Sequence, residues 1–402
     1  MGGYVGNNNI ARKITGGYVG VNGVARKITK GYVGVNGIAR KIFDSSSGDI
    51  YGIEWDGGAS PLFTRTDAAE NFAEPVACLL TTVGSSPFDD ILPWSGMEIV
   101  EDPDAGTLVK VPKYYYKWTR SGSAMKLQIS PNKQNGFYTS PAHADRGDGK
   151  GERDYVYIAR YFCTESTYKS ISGATEARAM TIGASREKIH SLGSDIWQVD
   201  FAMYWTIAML YLVEFATWNS QETIGFGNYC RSSASTVGST DDLKYHSGIR
   251  ATSRGSTASI QYRNIENIFG MGYCWYDGIF FRGTDIYGIL NPDDFSDTSK
   301  GIKIGARPAY NSSGFIKSFT NPTVTGFEFA LFPYELGGTY STYICDRYGY
   351  QYPDNESNSI NLGIGGGMTQ YEEERCRGIF AFYIESGTGQ YIYNKARLMK
   401  LP

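Results

Sequence analysis

Histidine and paired cysteine are scarce in this sequence. Its 402 residues include only three histidines, His143, His190 and His246. The six cysteines are scattered and form no Cys-x-x-Cys pair, so the ligand spacing of a zinc site is missing. We therefore expect no metal or other cofactor. We expect buried free thiols at Cys78, Cys163, Cys230, Cys274, Cys345 and Cys376, with disulfides formed after release from a cell as the alternative.

Catalytic patterns are missing as well. None of the three histidines has a neighbourhood typical of the base of a serine or cysteine hydrolase, and no Gly-Lys-Ser/Thr phosphate loop occurs. The acidic stretches 102–104 and 293–297 lack the pattern of a calcium loop and are typical of solvated turns. The sequence thus predicts a protein that is not an enzyme.

Long apolar runs and targeting signals are also missing. The longest apolar stretch, residues 201–213, is too short to span a bilayer and leads into Glu214. It fits a core helix, with Asp200 as a plausible N-cap and an end near Trp218. Met1 leads directly into polar repeats without an apolar stretch or a cleavage site, so we expect cytoplasmic synthesis, no signal peptide and no membrane insertion.

Glycine and tyrosine are abundant, with 49 and 31 residues. Hydrophobic residues make up 41% and charged residues 20% of the chain, which is an ordinary balance for a soluble protein with a substantial core. Tyrosine is a side chain that binding surfaces favour, because it offers a rigid ring and a hydroxyl group. The composition indicates a loop-rich, β-containing protein with an aromatic surface.

A 14-residue phrase opens the chain and occurs three times, starting at Tyr4, Tyr18 and Tyr32. In each copy two β-favouring runs flank a pair of residues that tolerates positive φ, which predicts a hairpin with a two-residue turn. Such short two-stranded units are marginal alone and need a larger body to pack on. The predicted turns are Asn8-Asn9, Asn22-Gly23 and Asn36-Gly37.

This opening segment carries basic residues and no acidic ones. We favour a role in attachment to a larger assembly. Protection of exposed strand edges and nucleic-acid binding are the alternatives, although no aromatic and basic pattern of a known nucleic-acid module is present. The basic residues are Arg12, Lys13, Arg26, Lys27, Lys30, Arg40 and Lys41.

The rest of the chain divides into a connecting region, 44–106, and a large body, 107–402. The connecting region holds a polar linker at 44–49 and a brief helical pattern near Asp67. In the body, helical patterns near 185–192 and 200–218 lie between strand-like runs, and a long polar stretch covers 225–255. The strand-like runs lie near 108–118, 124–130, 154–162, 258–269, 278–290, 301–310, 326–334 and 378–386. This order predicts an α+β fold rather than an alternating parallel one.

Several segments resemble a known family. The runs VKVPKYYYKW at Val109, DYVYIARY at Asp154, MLYLVEFATWNSQ at Met209 and YRNIENIFG at Tyr262 resemble tail-tip proteins and adhesins of gut-bacterial phages. The ending from Gly378 is similar to the last strands of the variable proteins of diversity-generating retroelements. The opening repeats resemble those of phage minor structural proteins. The resemblance implies a C-type lectin fold of the subtype shared with the formylglycine-generating enzymes.

The resemblance does not imply the enzyme activity of that subtype, which needs two closely spaced cysteines to hold copper. It implies a structural role for Arg263 and Glu266, which we expect to brace the core by satisfying buried backbone groups. Relatives tend to continue with Gly-Asn and an aromatic residue where this chain has Gly270-Met271-Gly272-Tyr273, so the local turn differs.

In the resembled variable proteins, the last strands and their loops carry an exposed, often aromatic binding face above a fixed scaffold. Carried over, the hydrophobic residues of 378–382 and 396–401 belong to the core. The expected ligand-binding residues are Tyr340, Tyr343, Arg347, Tyr348, Tyr350, Thr369, Gln370, Tyr371, Glu372, Glu373, Arg375, Tyr383, Glu385, Gln390, Tyr391 and Tyr393.

The function that follows is that of a phage tail receptor-binding protein. Its partners would be a bacterial surface receptor, either glycan or protein, and other tail or baseplate proteins contacted through residues 1–43. The alternative is a structural tail or baseplate cap that binds no receptor. By analogy with the family we expect a homo-oligomer, with a trimer favoured, located in the virion after assembly in the host cytoplasm.

Overall fold

A computed structural model describes residues 50–228, 235–270, 272–308, 312–349, 378–388, 390 and 394–402. It also describes the backbone of the strands within 4–44, of residue 350 and of residues 360–364. The three predicted turns Asn8-Asn9, Asn22-Gly23 and Asn36-Gly37 lie outside the described residues.

Six short strands at the start of the chain pair as three separate antiparallel hairpins. Their registers are equivalent, with Tyr4 opposite Lys13, Tyr18 opposite Lys27 and Tyr32 opposite Lys41. The strands are Tyr4–Asn7, Ile10–Lys13, Gly17–Val21, Val24–Ile28, Lys30–Val35 and Ile38–Asp44.

Two five-stranded antiparallel sheets combine strands of the predicted connecting region, 44–106, with strands of the predicted body, 107–402, and from here on the body means the described residues from 50 onward. Sheet A has the order Tyr138–Thr139, Tyr115–Ser121, Ala124–Ser130, Tyr51–Trp55 and Thr64–Asp67. Sheet B has the order Ile196–Gln198, Leu398–Lys400, Tyr155–Ala159, Gly106–Pro112 and Glu98–Asp102. The last strand of the chain therefore lies inside sheet B, between Ile196–Gln198 and Tyr155–Ala159.

Two further sheets complete the body. Sheet C is small and pairs Gly248–Ile249, Ile260–Tyr262 and Ile265–Glu266. In sheet D the strands follow the order Ile302–Ala306, Asp285–Gly288, Tyr273–Arg282, Ile360–Ile364, Phe382–Ser386, Arg347–Tyr350, Gly314–Phe319 and Pro333–Leu336. Asn394–Lys395 joins it in parallel beside Tyr273.

The helix Phe201–Phe215 lies at the centre of the body, and all of its residues are buried. It contacts Tyr51–Trp55 and Ala124–Ser130 of sheet A on one side and Tyr273–Arg282 of sheet D on the other. A helix that is apolar on all sides needs such burial. The predicted N-cap is confirmed, since the Asp200 carboxylate accepts the backbone N–H of Met203 at 2.7 Å.

The other helices are short. They are Ile182–His190, Ser220–Thr223 and the single 3₁₀ turns Trp94–Gly96, Pro292–Asp294 and Thr298–Lys300. Within the described residues the body is thus sheet-rich with few helices, which agrees with the coarse α+β prediction.

Four sequence predictions need correction. The pattern near Asp67 forms the edge strand Thr64–Asp67 and a turn instead of a helix. The central helix ends at Phe215, because Ala216 adopts φ 51°. Residues 326–332 form consecutive turns, not a strand, and the last long strand begins at Phe382, not at Gly378. The core assignment of 378–382 and 396–401 is confirmed by Ile379, Phe380, Phe382, Ala396, Leu398, Met399 and Leu401, each at most 1% exposed.

Candidate functional site

Asp346 joins the two segments that the sequence assigns to the binding face. Its carboxylate accepts the backbone N–H groups of Gly378 at 2.6 Å and Phe380 at 2.9 Å. Its own carbonyl accepts the N–H of Ile316 at 2.9 Å. The tyrosine-rich loop 337–346 and the approach to the last long strand are therefore fixed to each other beneath the surface.

Strand pairing continues this junction into sheet D. Arg347–Tyr350 runs parallel to Phe382–Ser386, with Tyr348 opposite Phe382. On the other side of Phe382 lies Ile364, the last residue of the neighbouring antiparallel strand. The described residues on either side of 365–377 thus lie at the same end of sheet D as the loop 337–346. The two segments that the sequence assigns to the binding face are therefore neighbours in space, although they are far apart in sequence.

The loop 337–346 is held rigidly at its base. The N–H of Gly337 donates to the Phe315 carbonyl at 3.0 Å, and the N–H of Tyr343 donates to the Ala59 carbonyl at 2.8 Å. At the tip, the N–H of Thr339 donates to the Thr342 hydroxyl at 2.9 Å. Tyr340 stands on this turn with 38% of its surface exposed. The loop therefore offers an aromatic ring on a backbone that is already ordered.

Tyr343 and Arg347 follow this tip in the chain and are half-buried, and Gln390 is exposed after the last long strand. The Lys317 ammonium lies 5.9 Å from the centre of the Tyr343 ring. These positions are compatible with contact to a ligand.

The sequence prediction missed exposed residues on the edge strand that leads into this loop. Tyr334 is 57% exposed on the edge strand Pro333–Leu336. Its neighbour Glu335 lies 3.7 Å from the Lys317 amine. Tyr334 ends the predicted strand-like run 326–334, and that run alone does not distinguish an exposed edge tyrosine from a core one. We call Lys317, Tyr334, Glu335, Tyr340, Tyr343 and Arg347 the tyrosine face.

Three predicted face residues are buried, which corrects their assignment to an exposed surface. Tyr348 is fully buried in sheet D, where Arg307 donates to its hydroxyl at 3.2 Å. The Tyr383 ring stacks on Tyr273 with 4.4 Å between ring centres. Glu385 is 1% exposed and accepts a hydrogen bond from the Asn394 amide at 3.3 Å, and burial raises its pKa to about 7.

Nine further predicted residues lie outside the described side chains, so their contribution stays a prediction. They are Tyr350, Thr369, Gln370, Tyr371, Glu372, Glu373, Arg375, Tyr391 and Tyr393, of which Tyr350 is described only as strand backbone.

A chain of Ser247, His246 and Asp89 has the geometry of a hydrolase triad. The His246 ring lies 2.9 Å from the Ser247 hydroxyl through Nδ1 and 2.8 Å from Asp89 through Nε2. However, Ser247 is fully buried, and its hydroxyl already accepts the N–H of Arg263 at 3.0 Å. A nucleophile must reach its substrate, so this arrangement braces sheet C and does not act on a ligand.

The bracing role of Glu266 is confirmed. Its carboxylate accepts the N–H groups of Gly238 at 2.9 Å and Thr240 at 2.8 Å. Arg263 braces the core differently from the prediction, because its guanidinium pairs with the Glu214 carboxylate instead of backbone groups. Glu214 lies at the end of the central helix, so this buried ion pair attaches sheet C to that helix.

The described cysteines Cys78, Cys163, Cys274 and Cys345 are buried free thiols, as predicted, whereas Cys230 and Cys376 lie outside the described residues. Among described side chains, no three of His, Cys, Asp or Glu approach closely enough to hold a metal ion. The helices of the described part of the chain are all too short or too polar to cross a membrane.

Comparison with known proteins adds no relative. A scan against protein-family models and a search of curated proteins both found no match to this chain.

Proposed function

We propose that this protein is a receptor-binding protein of a phage tail. Its body is a C-type lectin-like scaffold of the formylglycine-generating-enzyme subtype, and the tyrosine face together with residues 365–377 contacts a bacterial surface receptor. The proposal rests on the resemblance of the sequence segments. It is supported by a sheet-rich body around one central helix, with the last strand inside sheet B.

The observation that carries the proposal is the junction at Asp346. A binding face that changes between relatives needs a base that stays fixed while its surface changes. The Asp346 carboxylate, with its two backbone hydrogen bonds, supplies such a base below the loop 337–346 and the start of the last long strand. Exposed tyrosines then add contact area at low entropic cost.

The remaining parts of the proposal concern assembly. The three hairpins, with seven basic and no acidic side chains in residues 1–43, dock onto other tail or baseplate proteins. The virion holds the protein as a homo-oligomer, with a trimer favoured, because several weak receptor contacts on one particle gain avidity without new interactions. Light scattering of the full chain measures this, and a monomer at micromolar concentration contradicts it.

A second candidate is a structural cap of the tail or baseplate. The burial of Tyr348, Tyr383 and Glu385 favours it, because those residues of the expected face serve the core. Substitution of the exposed tyrosines distinguishes the two candidates, since a cap does not need them for adsorption.

The DNA that flanks the gene tests the phage assignment. We expect tail genes on one side of this gene. A near-copy of its 3′ end beside a reverse transcriptase gene would indicate in addition that the face is diversified. If differences between the two copies fall mainly at adenines, their codons identify the diversified residues. The absence of both features would remove the phage assignment, whereas tail genes alone leave an adhesin of fixed sequence or a cap.

A further inference from the structure

A cleft of about 120 Å³ lies at the outer edge of sheet A and shares no residue with the tyrosine face. On strand Tyr115–Ser121, Tyr116 and Trp118 stand opposite Ile129 and Leu127 of the next strand. Ile129 and Leu127 are fully buried, so all four side chains lie on the core side of the sheet. Near the edge this side is only partly covered, and Trp118 becomes half-buried.

Aromatic rings form one wall of the cleft. Tyr138, on the edge strand, stands opposite Tyr116 in the register, and their ring centres are 5.9 Å apart at an angle of 38°. Tyr116 is 2% exposed, whereas Tyr138 is 47% exposed. The buried ring therefore supports the exposed one, and Trp118 continues the same surface inward.

The opposite wall is the loop 320–332, which is closed at its neck and fixed to sheet A. Thr320 and Phe332 exchange two hydrogen bonds, from the Thr320 N–H at 2.7 Å and from the Phe332 N–H at 2.9 Å. Arg120 donates to the carbonyls of Phe319 at 3.1 Å and Thr320 at 2.8 Å. Both walls are thus ordered before a ligand enters, which lowers the entropic cost of binding.

Polar side chains complete the lining of the cleft. They are Glu328 and Asn321 of the loop and the half-buried Arg120 of the strand. One carboxylate and one guanidinium leave the lining without net charge. Ligand pockets in proteins commonly combine an apolar aromatic surface with a few polar groups that fix orientation.

We propose that this cleft binds one neutral sugar unit of a saccharide. A pyranose ring has an apolar C–H face, which matches the surface of Tyr138 and Trp118, and hydroxyl groups at its edge, which match Glu328 and Asn321. A quaternary ammonium ion also favours aromatic rings, but here it would lie beside the Arg120 cation, which donates its hydrogen bonds to the neutral carbonyls of Phe319 and Thr320. A free anion would be repelled by the Glu328 carboxylate. The lack of net charge therefore favours a neutral ligand.

Saturation-transfer NMR of the full chain with neutral monosaccharides tests this site. The probes are the methyl glycosides of glucose, galactose, mannose and N-acetylglucosamine, at about 10 mM because single weak sites bind in the millimolar range. At least one probe should bind. Tyr138→Ala and Glu328→Gln should each weaken it about tenfold, because one removes the exposed ring and the other the carboxylate.

Tyr155→Ala is the matched control, since Tyr155 is 45% exposed on sheet B and does not line the cleft. Tyr340→Ala removes an exposed ring of the tyrosine face, so a loss of sugar binding in this variant in place of Tyr138→Ala would assign the sugar to that face and overturn the inference. Absence of binding by all four glycosides would overturn the inference, and so would binding that Tyr138→Ala does not weaken. Binding of tetramethylammonium in place of the sugars would overturn the ligand class.

Discussion

Asp346 accepts the backbone N–H of Phe380 at 2.9 Å, although 34 residues separate the two along the chain. The carboxylate is 2% exposed, and this burial raises its pKa to about 7, even though the two N–H groups favour the ionised form. In an unfolded chain the same carboxyl group has a pKa near 3.8. Folding at neutral pH therefore carries the cost of a buried, partly ionised acid.

Asp346→Asn should change how stability depends on pH. Between about pH 4 and pH 7 the folded wild type binds the proton and the unfolded chain does not, so Asp346 stabilises the protein as pH falls and this contribution is lost as pH rises. The change is on the order of 3 kcal/mol. The variant lacks this contribution. Its free energy of unfolding should therefore fall further below that of the wild type when the pH is lowered from 7 to 5.

Urea denaturation at the two pH values measures this difference. Asp242→Asn is the control, because Asp242 is half-exposed and pairs only with the exposed Arg250. A difference between Asp346→Asn and wild type that is the same at pH 5 and pH 7 would show that the carboxylate does not titrate in this range.

His143→Gln should show the opposite dependence on pH. His143 is fully buried, donates from Nε2 to the Val111 carbonyl at 2.9 Å and accepts the Ser140 hydroxyl at Nδ1. Burial lowers its pKa from 6.5 to about 4. The unfolded chain therefore binds a proton first, and His143 destabilises the protein as pH falls from about 6.5 to 4.

His143→Gln removes this titration, so wild type should lose more stability than the variant between pH 7 and pH 5. At pH 7 the variant itself should be less stable by about 1–3 kcal/mol, because a buried hydrogen bond is lost. His190→Gln is the control, because His190 is exposed at the end of helix Ile182–His190. Equal losses in wild type and His143→Gln would contradict the assignment.

Arg397→Leu should prevent folding or destabilise the body by more than about 3 kcal/mol. Its buried guanidinium donates to four backbone carbonyls. These belong to Ala159 at 2.6 Å, Arg160 at 3.1 Å, Glu266 at 2.6 Å and Asn267 at 3.3 Å. It thereby joins sheet B to sheet C. Thermal unfolding measures the loss of stability. Arg397→Lys should retain part of the stability. Arg250→Ala is the control and should retain nearly all of it, because Arg250 forms an exposed ion pair. A normal melting temperature for Arg397→Leu would refute this role.

Asp200→Ala should cost about 3–5 kcal/mol, because it removes the N-cap of the central helix and leaves the Arg146 guanidinium buried without its partner. Asp200→Asn keeps an oxygen for the Met203 N–H and should cost less. Thr181→Ala removes only the cap of helix Ile182–His190 and should cost about 1 kcal/mol. Equal losses for Asp200→Ala and Thr181→Ala, measured by urea denaturation, would show that the ion pair contributes little.

The sequence predicted local features well where one physical rule dominates. The apolar run after Asp200 could only be a buried helix, and its cap followed from the side chain at that position. In other segments tertiary packing overrides the structure that the local sequence pattern predicts. Residues 326–332 alternate like a strand, yet Phe327, Phe329 and Phe332 all enter the core from successive turns, since Gly326 at φ 87° redirects the chain.

The candidate site shows the same division. A tyrosine in sequence can be a contact residue or a core residue, and only the neighbours decide which. Tyr340 lies on a turn and is exposed, whereas Tyr348 lies on an inner strand and is buried. The long-range contact of Asp346 with Gly378 has no local signal in either segment, so it could not be predicted.

The central claim is that the tyrosine face binds a bacterial receptor. The most direct measurement is the binding of fluorescently labelled full chain to cells of the host identified from the flanking DNA. The double variant Tyr340→Ala, Tyr343→Ala should lose about tenfold or more in binding, because two contact rings are removed, while Tyr155→Ala binds as wild type does. Undiminished binding by the double variant, with normal folding of all three proteins, would contradict the claim.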